Sequence, residues 1–250
     1  MRVATGRSTY DAQRERIAEY FDHTAAAAWA QLTSDAPVSR IRRTVRAGRD
    51  RMRSMLLRWL PGDLSGLRIL DAGCGTGAMA VELATRGASV VAVDIAPSLV
   101  SVAAQRAPHA LGGRLSFHAG DMLDTALGEF DHVVAMDSLI HYTPAQMFAA
   151  LDVLCARTRR SVLWTVAPST PALRVMHAAG RLLPRGSRSP AIVPVSERTL
   201  HAGAKRFEDN GWRLGRTRRV SSGFYTSQGA ELVRGDSDDT VTLAERFTDD

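Results

Sequence analysis

Short apolar runs alternate with helical segments through the middle of the chain. The apolar runs are seven or eight residues long, and the segments between them have helical composition. Strands are predicted over residues 67–73, 89–95, 115–121, 130–137 and 161–168, and helices over 78–87, 98–107 and 144–158. This alternation predicts an α/β fold with a parallel sheet and helices on both faces.

The segments that flank this alternation have other patterns. Residues 1–36 have helical composition and are expected to form an arm, and residues 38–60 are predicted to form an amphipathic helix. A helix over 197–212 and two strands joined by a turn within 213–234 close the fold. The predicted apolar face of the second helix contains Ile41, Val45, Gly48, Met52, Met55 and Trp59.

These elements together predict a Rossmann-like fold with a mostly parallel, seven-stranded sheet. We expect an N-terminal helical arm and cap over residues 1–60 and one α/β domain over 61–235. Residues 169–195, which are rich in Pro, Gly, Ser and Arg, form an insertion after the fifth strand. Residues 236–250 form an acidic tail that is expected to be poorly ordered.

Composition limits the class of protein. Apolar residues make up 45% of the chain and charged residues 23%, which is typical of soluble globular proteins. The first residues contain no apolar signal segment, and no apolar run approaches the ~18 residues of a membrane-spanning helix. The two cysteines, Cys74 and Cys155, form neither a disulfide framework nor a metal-binding spacing. We therefore expect a cytoplasmic protein without a bound metal.

The formal net charge of +6 favours anionic partners such as nucleic acid, anionic lipid or an acidic small molecule. Lys205 is the single lysine, so the basic residues are almost all arginines. An arginine bias of this kind also follows from a GC-rich genome. Charge alone therefore leaves both interpretations open.

A glycine-rich segment, LDAGCGTGA, directly follows the first predicted strand and contains Gly73, Gly75 and Gly77. Glycines allow the backbone to turn tightly and to approach a ligand, and the following helix presents free N–H groups at its N-terminus. The same letters fit the dinucleotide fingerprint G-x-G-x-x-G/A, and Asp94 after the second strand suits a ribose in either case.

Three features favour S-adenosylmethionine (SAM) over a dinucleotide. Asp71 precedes the first glycine by two residues, a position suited to the ammonium group of SAM. Asp121 and Met122 end the third strand, where an acid accepts a hydrogen bond from the adenine amino group and a methionine packs on the ring. The strand–turn–strand at the end of the chain also differs from a repeated nucleotide-binding half.

Each acid has a structural explanation when it is taken singly, Asp71 as a helix cap and Asp121 as a turn residue. Taken together, the motifs resemble those of class I SAM-dependent methyltransferases. The candidate cofactor-binding residues are Asp71, Ala72, Gly73, Cys74, Gly75, Asp94, Ile95, Asp121, Met122 and Met136.

The segment after the fourth strand, DSLIHYTP, lies where such a sheet usually carries the acceptor chemistry. It lacks the N/D-P-P-Y/F tetrad of the methyltransferases that act on nucleic-acid amines. Cys155 falls in the middle of a helix and is expected in the core, so it does not suggest the nucleophile of an RNA carbon-5 methyltransferase. Nucleic acid is therefore not an expected partner.

Several segments together resemble the magnesium-protoporphyrin IX O-methyltransferases of (bacterio)chlorophyll biosynthesis. They are YFDHTAAAAW (20–29), LLRWLPGDLSGLRILDAGCGTGAMAVELATRGASVVAVDIA, DSLIHYTP, SVLWTVAPSTPAL and GFYTSQ (223–228). The resemblance covers roughly residues 18–234. It implies methyl transfer from SAM to a propionate of magnesium protoporphyrin IX, which gives the monomethyl ester.

The same resemblance implies that Tyr20 and His141 are catalytic and that the arm and the insertion cover the active site. It further implies the large subunit of magnesium chelatase as a partner and a peripheral contact with the photosynthetic membrane. A propionate resembles a Glu side chain, with a pKa of ~4.3, so it is ionised at neutral pH and needs no strong base. His141 would then hold the carboxylate by a hydrogen bond, or take its proton if burial raises the pKa of that acid.

Other interpretations stay open at this point. His141 also fits a strand-end histidine that bonds a carbonyl, and Tyr20 fits a packing residue on a helix. The apolar and arginine residues of the insertion suit a porphyrin, an anionic membrane surface or an ordinary covering helix. The whole protein also fits a methyltransferase for another hydrophobic carboxylate or a quinone-pathway phenol, or a non-catalytic SAM or nucleotide sensor that binds nucleic acid.

Overall fold

A computed structural model of the chain describes residues 4–25, 33, 39–169 and 191–235. The acidic tail and most of the insertion after the fifth strand, residues 170–190, lie outside the described residues.

One twisted sheet forms the centre of the fold. Its strands are β1 (Arg68–Ala72), β2 (Ser89–Asp94), β3 (Leu115–Ala119), β4 (Phe130–Ala135), β5 (Thr158–Pro168), β6 (Pro194–Val195), β7 (Trp212–Ser222) and β8 (Tyr225–Arg234). The main path runs β3–β2–β1–β4–β5–β8–β7. The first five strands pair in parallel, while β8 is antiparallel to both β5 and β7. The predicted seven-stranded, mostly parallel sheet is confirmed, with the two-residue β6 added beside β5.

The helices occupy the predicted positions. They are α1 (Ala4–Glu19), α2 (Arg40–Trp59), α3 (Ala78–Thr85), α4 (Pro97–Arg106), α5 (Pro144–Ala156) and α6 (Glu197–Ala204). A π-helical turn, Tyr20–Ala25, continues α1, and a 3₁₀ turn, Lys205–Asn210, continues α6. In the part of the chain that the structure describes, no helix combines the length and the apolar content needed to cross a membrane.

Local sequence explains where α5 begins and ends. Thr143 and Gln146 form a reciprocal capping box at its N-terminus, and Pro144 takes the first helical position. Arg157 leaves the helix, and its guanidinium donates to the backbone carbonyls of Met122 and Asp124. The helix therefore ends two residues before the predicted limit of 158, and β5 begins at Thr158, three residues before its predicted start.

The central parallel strands β1, β2, β4 and β5 are buried on both faces, as expected for a parallel sheet between helices. Leu70 and Val133 point to the side covered by α5 and α6, where Met147 and Leu200 belong to the same apolar cluster. Their neighbours Ile69 and Val134 point to the opposite side, where they join apolar residues of α2 and α3. Successive residues of a strand thus stabilise two separate cores.

Helix α2 packs on the β7–β8 hairpin. Gly48 lies against the ring of Tyr225, and Met52 and Met55 are buried as predicted. Ile41, which the pattern placed on the same face, is instead 53% exposed. The reason is that Thr44 already contacts Gly223 in the hairpin turn, so the preceding turn of the helix lies beyond the hairpin. Leu56 and Leu57 complete the buried face.

The division into an arm and cap (1–60), an α/β domain (61–235) and a tail (236–250) stays a prediction. Helix α2, which that division assigns to the cap, packs directly on the sheet through β7 and β8.

Replacement of Gly48 by Ala should destabilise the protein. A Cβ at this position would lie 2.5 Å from Cδ1 of Tyr225, so the helix must move away from the hairpin. We expect overpacking to cost about 1–3 kcal/mol, more than the ~1 kcal/mol that Ala gains over Gly in a helix. Urea unfolding measures the difference.

The matched control is Gly62→Ala, because nothing lies within 4 Å of a Cβ at Gly62. That variant should unfold at nearly the same urea concentration as the wild type. A Gly48→Ala protein as stable as the control would contradict the proposed close packing.

Candidate functional site

A cavity of about 300 Å³ lies at the carboxyl ends of β1, β2, β3 and β4, and side chains from α1 and α2 close its other walls. Ligands of open α/β sheets bind at this edge. We call it the sheet-edge cavity. Ten of the predicted site residues line it: Asp71, Gly73, Cys74, Gly75, Asp94, Ile95, Asp121, Met122, Met136 and His141.

The glycine loop between β1 and α3 forms the floor of the sheet-edge cavity. Gly73, Gly75 and Gly77 all have positive φ angles, from 53° to 85°, which other residues adopt only with strain. The N–H groups of Gly73 and Cys74 donate to the carbonyl of Val93 at 2.8 and 3.0 Å. These bonds hold the loop to the end of β2.

Asp94 anchors the same loop from the end of β2. Its Oδ2 accepts a hydrogen bond from the N–H of Gly75 at 2.8 Å, and its Oδ1 accepts one from the N–H of Ala96 at 3.0 Å. Burial raises the pKa of this carboxyl above its ordinary value. Each carboxylate oxygen has a second lone pair, so the side chain can still accept a bond from a ribose hydroxyl.

Asp71 places a buried carboxyl group next to the glycine loop. The residue is 1% exposed, and its Oδ2 has no hydrogen-bond partner among the described residues. Burial, reinforced by the nearby Asp94 carboxylate, raises the pKa of Asp71 to about 7. A buried carboxyl oxygen that lines a cavity and lacks a partner suits a positively charged ligand group, because desolvated charges need compensation.

Asp121, at the end of β3, is bonded to the N-terminal helix. Its Oδ1 accepts hydrogen bonds from Tyr10 Oη at 3.1 Å and from the N–H of Leu123 at 2.9 Å. Its Oδ2 accepts a charge-assisted bond from Arg14 Nη1 at 2.7 Å. The sequence predicts an adenine contact for Asp121, whereas the structure places α1 on this carboxylate. The adenine role stays a prediction.

His141 lies on the wall of the same cavity. It ends a 3₁₀ turn, Leu139–His141, that follows β4, and it is 6% exposed. Its ring centroid lies 5.7 Å from that of Phe21, which also lines the cavity. The backbone carbonyl of His141 accepts a bond from Gln13 Nε2 at 2.9 Å, so α1 holds this turn as well.

Tyr20 and Ala72 are the predicted site residues that do not line the cavity. Tyr20 is half-buried, and its ring meets the edge of Phe21 with centroids 5.2 Å apart. Ala72 is fully buried in β1. The ring that lies near His141 is that of Phe21, the neighbour of Tyr20. The catalytic roles of Tyr20 and His141 stay predictions.

Asp137 and three arginines of α2 also line the cavity wall, and none of the four had a predicted role. Asp137 lies two residues beyond the end of β4, and its carboxylate accepts a bond from Arg49 Nη1 of α2 at 2.5 Å. Arg46, Arg49 and Arg53 all line the cavity from α2. Their spacing of three and four along a helix was the available signal, since such residues share one face.

The structure also bears on metal and thiol chemistry. Within the described ranges, no group of three or more His, Cys, Asp or Glu side chains is arranged to hold a metal ion. Cys155 lies on the buried face of α5 in the core, as predicted, and burial raises the pKa of its thiol to about 12. Cys74 lines the cavity, where burial also raises its pKa.

Comparisons with known proteins agree with this geometry. Residues 135–234 match the family described as magnesium-protoporphyrin IX methyltransferase C-terminus, and residues 69–160 match a methyltransferase domain. The chain is 50% identical over 222 residues to magnesium-protoporphyrin O-methyltransferase of Rhodobacter capsulatus. That alignment covers 88% of this chain and 96% of the relative.

Among solved structures, the chain resembles magnesium protoporphyrin IX methyltransferase (ChlM) from Synechocystis PCC 6803 with bound SAH. The TM-score is 0.77 at 30% identity, over 88% of this chain and 99% of that chain. A more partial similarity, 36% over 135 residues, links the chain to ubiquinone biosynthesis O-methyltransferase of Xanthomonas oryzae pv. oryzae. It covers 50% of this chain and 55% of that relative.

Replacement of Asp71 by Asn should make the ligand-free protein more stable at pH 8. The pKa of Asp71 is about 7 in the folded chain and ~3.9 in the unfolded chain. The folded state therefore holds the proton more tightly between these values. The contribution of Asp71 to stability is greatest below pH ~4 and is lost as pH rises to 7.

The expected gain at pH 8 is a few kcal/mol, at about 1.4 kcal/mol per pKa unit, and it should shrink at pH 5. Urea unfolding of both proteins at the two pH values measures it. The control is Asp131→Asn, at the opposite end of the sheet, where the carboxylate accepts the N–H of Arg68 and the variant should bring no such gain. A difference between Asp71→Asn and the wild type that is the same at both pH values would contradict the assignment of a buried, uncompensated charge.

Proposed function

Because this chain belongs to the magnesium-protoporphyrin O-methyltransferase family, we propose that it transfers a methyl group from SAM to a propionate of magnesium protoporphyrin IX. The product is the monomethyl ester, an intermediate of (bacterio)chlorophyll biosynthesis. The observation that carries this proposal is the sheet-edge cavity, whose wall contains both the buried Asp71 carboxylate and the His141 imidazole.

The donor side of the cavity supports SAM as the second substrate. Asp71 would bind the ammonium group, Asp94 the ribose hydroxyls and Met122 the adenine ring. Gly73 and Gly75 allow the backbone to approach the ligand closely. SAM, when bound, supplies an electrophilic methyl group on a sulfonium. The orphaned Oδ2 of Asp71 fits a cationic group of this kind.

The acceptor side needs groups that hold a carboxylate rather than a strong base. The propionate is ionised at neutral pH, since its pKa resembles the ~4.3 of Glu. His141 would orient the carboxylate with a hydrogen bond, and Phe21, which lies against the His141 ring, would exclude water. Orientation of two reactants contributes up to ~7–11 kcal/mol in well-aligned systems. The residues after β4 are therefore expected to act mainly by positioning.

A phenol of the quinone pathway is the second candidate acceptor. The partial similarity to ubiquinone biosynthesis O-methyltransferase favours it, although that similarity covers only half of this chain. A phenol has a pKa of ~10 and must lose its proton to react. Its methylation would therefore depend steeply on pH and on a base.

Incubation of the protein with methyl-labelled SAM and magnesium protoporphyrin IX should yield one labelled methyl ester per porphyrin. The control substrate is the dimethyl ester of the same porphyrin, which has no free carboxylate and should take up no label. Chromatography with detection of the label decides the outcome. Label that enters a quinone-pathway phenol but not the porphyrin would replace this proposal with the second candidate.

Replacement of His141 by Ala should lower turnover by about 100-fold or more, while the affinity for SAM stays within about threefold of the wild type. His141→Gln keeps a hydrogen-bond donor and removes the base. If the histidine orients an ionised carboxylate, the Gln variant should recover most of the activity that Ala loses. Steady-state kinetics and calorimetric titration of SAM measure both. A large loss of SAM affinity in the Ala variant would place His141 in the donor site instead.

Replacement of Tyr20 by Phe removes the hydroxyl and keeps the ring that packs on Phe21. A catalytic hydroxyl predicts that turnover falls by about tenfold or more, the loss of one donor to a charged group. Phe21→Leu serves as a comparison, since it perturbs the ring contact with His141 and leaves the hydroxyl in place. Full activity in Tyr20→Phe would assign this residue to packing alone.

Two expectations from the sequence resemblance also belong to this proposal. We expect the large subunit of magnesium chelatase to be a partner that delivers the porphyrin. We also expect a peripheral contact with the photosynthetic membrane, through the apolar and arginine residues of the insertion.

A further inference from the structure

We propose that Asp137 is a positioning residue for methyl transfer, because its clamped, left-handed backbone sets the place of His141 relative to the glycine loop. This inference rests on the proposed function for its kinetic test. Neither the sequence motifs nor the proposed reaction assigns a role to Asp137.

The backbone of Asp137 is strained. Its φ angle is +56°, and it is the single non-glycine residue with positive φ in the described part of the chain. Asp and Asn tolerate this conformation better than other side chains do, but it still carries an energetic cost. Strain of this kind persists only where the surroundings over-determine it, and it concentrates at functional sites.

The surroundings of Asp137 meet that condition. Its side chain is 6% exposed, and four side chains from three elements donate to its carboxylate. These are Arg49 at 2.5 Å, Thr165 at 3.1 Å, Tyr225 at 3.2 Å and Ser227 at 3.5 Å. We call these four donors and Asp137 the Asp137 cluster. It joins the end of β4 to α2, β5 and β8.

Thr165 holds the backbone of residue 137 as well as its side chain. Its hydroxyl oxygen accepts a hydrogen bond from the N–H of Asp137 at 2.7 Å, while its hydroxyl donates to the carboxylate. Arg49, which forms an ion pair with Asp137, is also largely buried, with 19% of its side chain exposed. A carboxylate that accepts this many bonds is fixed in orientation, and so is the peptide that carries it.

The left-handed residue precedes the segment that carries Ser138 and His141, which both line the cavity. Ser138 follows immediately and packs on the glycine loop so closely that a Cβ on Gly73 would lie 2.3 Å from its own Cβ. The 3₁₀ turn Leu139–His141 comes next and carries the imidazole into the cavity wall. The position of Asp137 therefore fixes the distance between the segment after β4 and the glycine loop. It also fixes where the 3₁₀ turn Leu139–His141 begins.

Three variants test this role. Asp137→Asn keeps the tolerance for positive φ and the shape, but removes the charge that pairs with Arg49. Asp137→Ala removes the hydrogen bonds to the carboxylate and also the tolerance for positive φ. The double variant Arg49→Gln with Asp137→Asn removes both partners of this largely buried ion pair, which is less disruptive than the removal of one. Asp131→Asn is the matched control, on the same β4 segment at the other end of the sheet.

We expect kcat to fall by about tenfold in Asp137→Asn and by about 100-fold in Asp137→Ala, as for a misplacement of about 1 Å. The Kd of SAH and the KM of the porphyrin should stay within about threefold, and the double variant should recover part of the kcat that Asp137→Asn loses. Asp131→Asn should keep the wild-type kcat. A kcat of Asp137→Ala within twofold of the wild type would overturn the proposal, as would an equal loss in the control.

A second readout does not depend on methyl transfer. NMR of protein labelled at histidine, with His141→Gln to assign the resonance, should show the His141 ring signals displaced in both Asp137 variants and unchanged in Asp131→Asn. Unchanged His141 signals in Asp137→Ala would overturn the positioning role. If the wild type does not methylate the porphyrin, the proposed function fails. The NMR comparison still shows whether Asp137 positions His141.

Discussion

The contact between the glycine loop and Ser138, in the segment that follows β4, is the constraint on which the site depends. Gly73 has no Cβ, so Ser138 lies against the loop at a distance that any side chain would prevent. This contact joins the segment that carries Asp71 to the segment that carries His141. An open parallel sheet ends all its strands at one edge, but only such close packing brings two strand ends into one cavity of about 300 Å³.

The charges of the cavity follow from its burial. Asp71, Asp94, Asp121 and Asp137 all line it, and desolvated carboxylates are costly unless they are bonded or paired. Arg14 from α1 compensates Asp121, and Arg49 from α2 compensates Asp137. Asp94 accepts two backbone N–H groups instead. Asp71 Oδ2 has no such partner among the described residues, which agrees with the proposed role of this acid in binding the ammonium group of SAM.

The features that sequence predicts well here are those set by local physics. The apolar period fixed the order of strands and helices, and the glycines marked the loop because only their conformational freedom permits its positive φ angles. The contacts of Arg14 with Asp121 and of Arg49 with Asp137 were not predictable in this way. They join residues 107 and 88 positions apart, so no local pattern records them. The exposure of Ile41 was missed for the same reason, since it depends on where a hairpin turn ends.

The chemistry of the proposed acceptor explains why position matters more than basicity at this site. A carboxylate is already a nucleophile at neutral pH, so a general base would add little, whereas alignment and exclusion of water lower the barrier directly. The structure agrees with a site that acts by positioning. The positive φ of Asp137, the contact between Gly73 and Ser138, and the hydrogen bonds to the Asp137 carboxylate all fix the geometry of the segment after β4. A phenol acceptor would require a base placed against its hydroxyl. Among relatives of this fold, we therefore expect the change from carboxylate to phenol to be made in the few residues that follow β4.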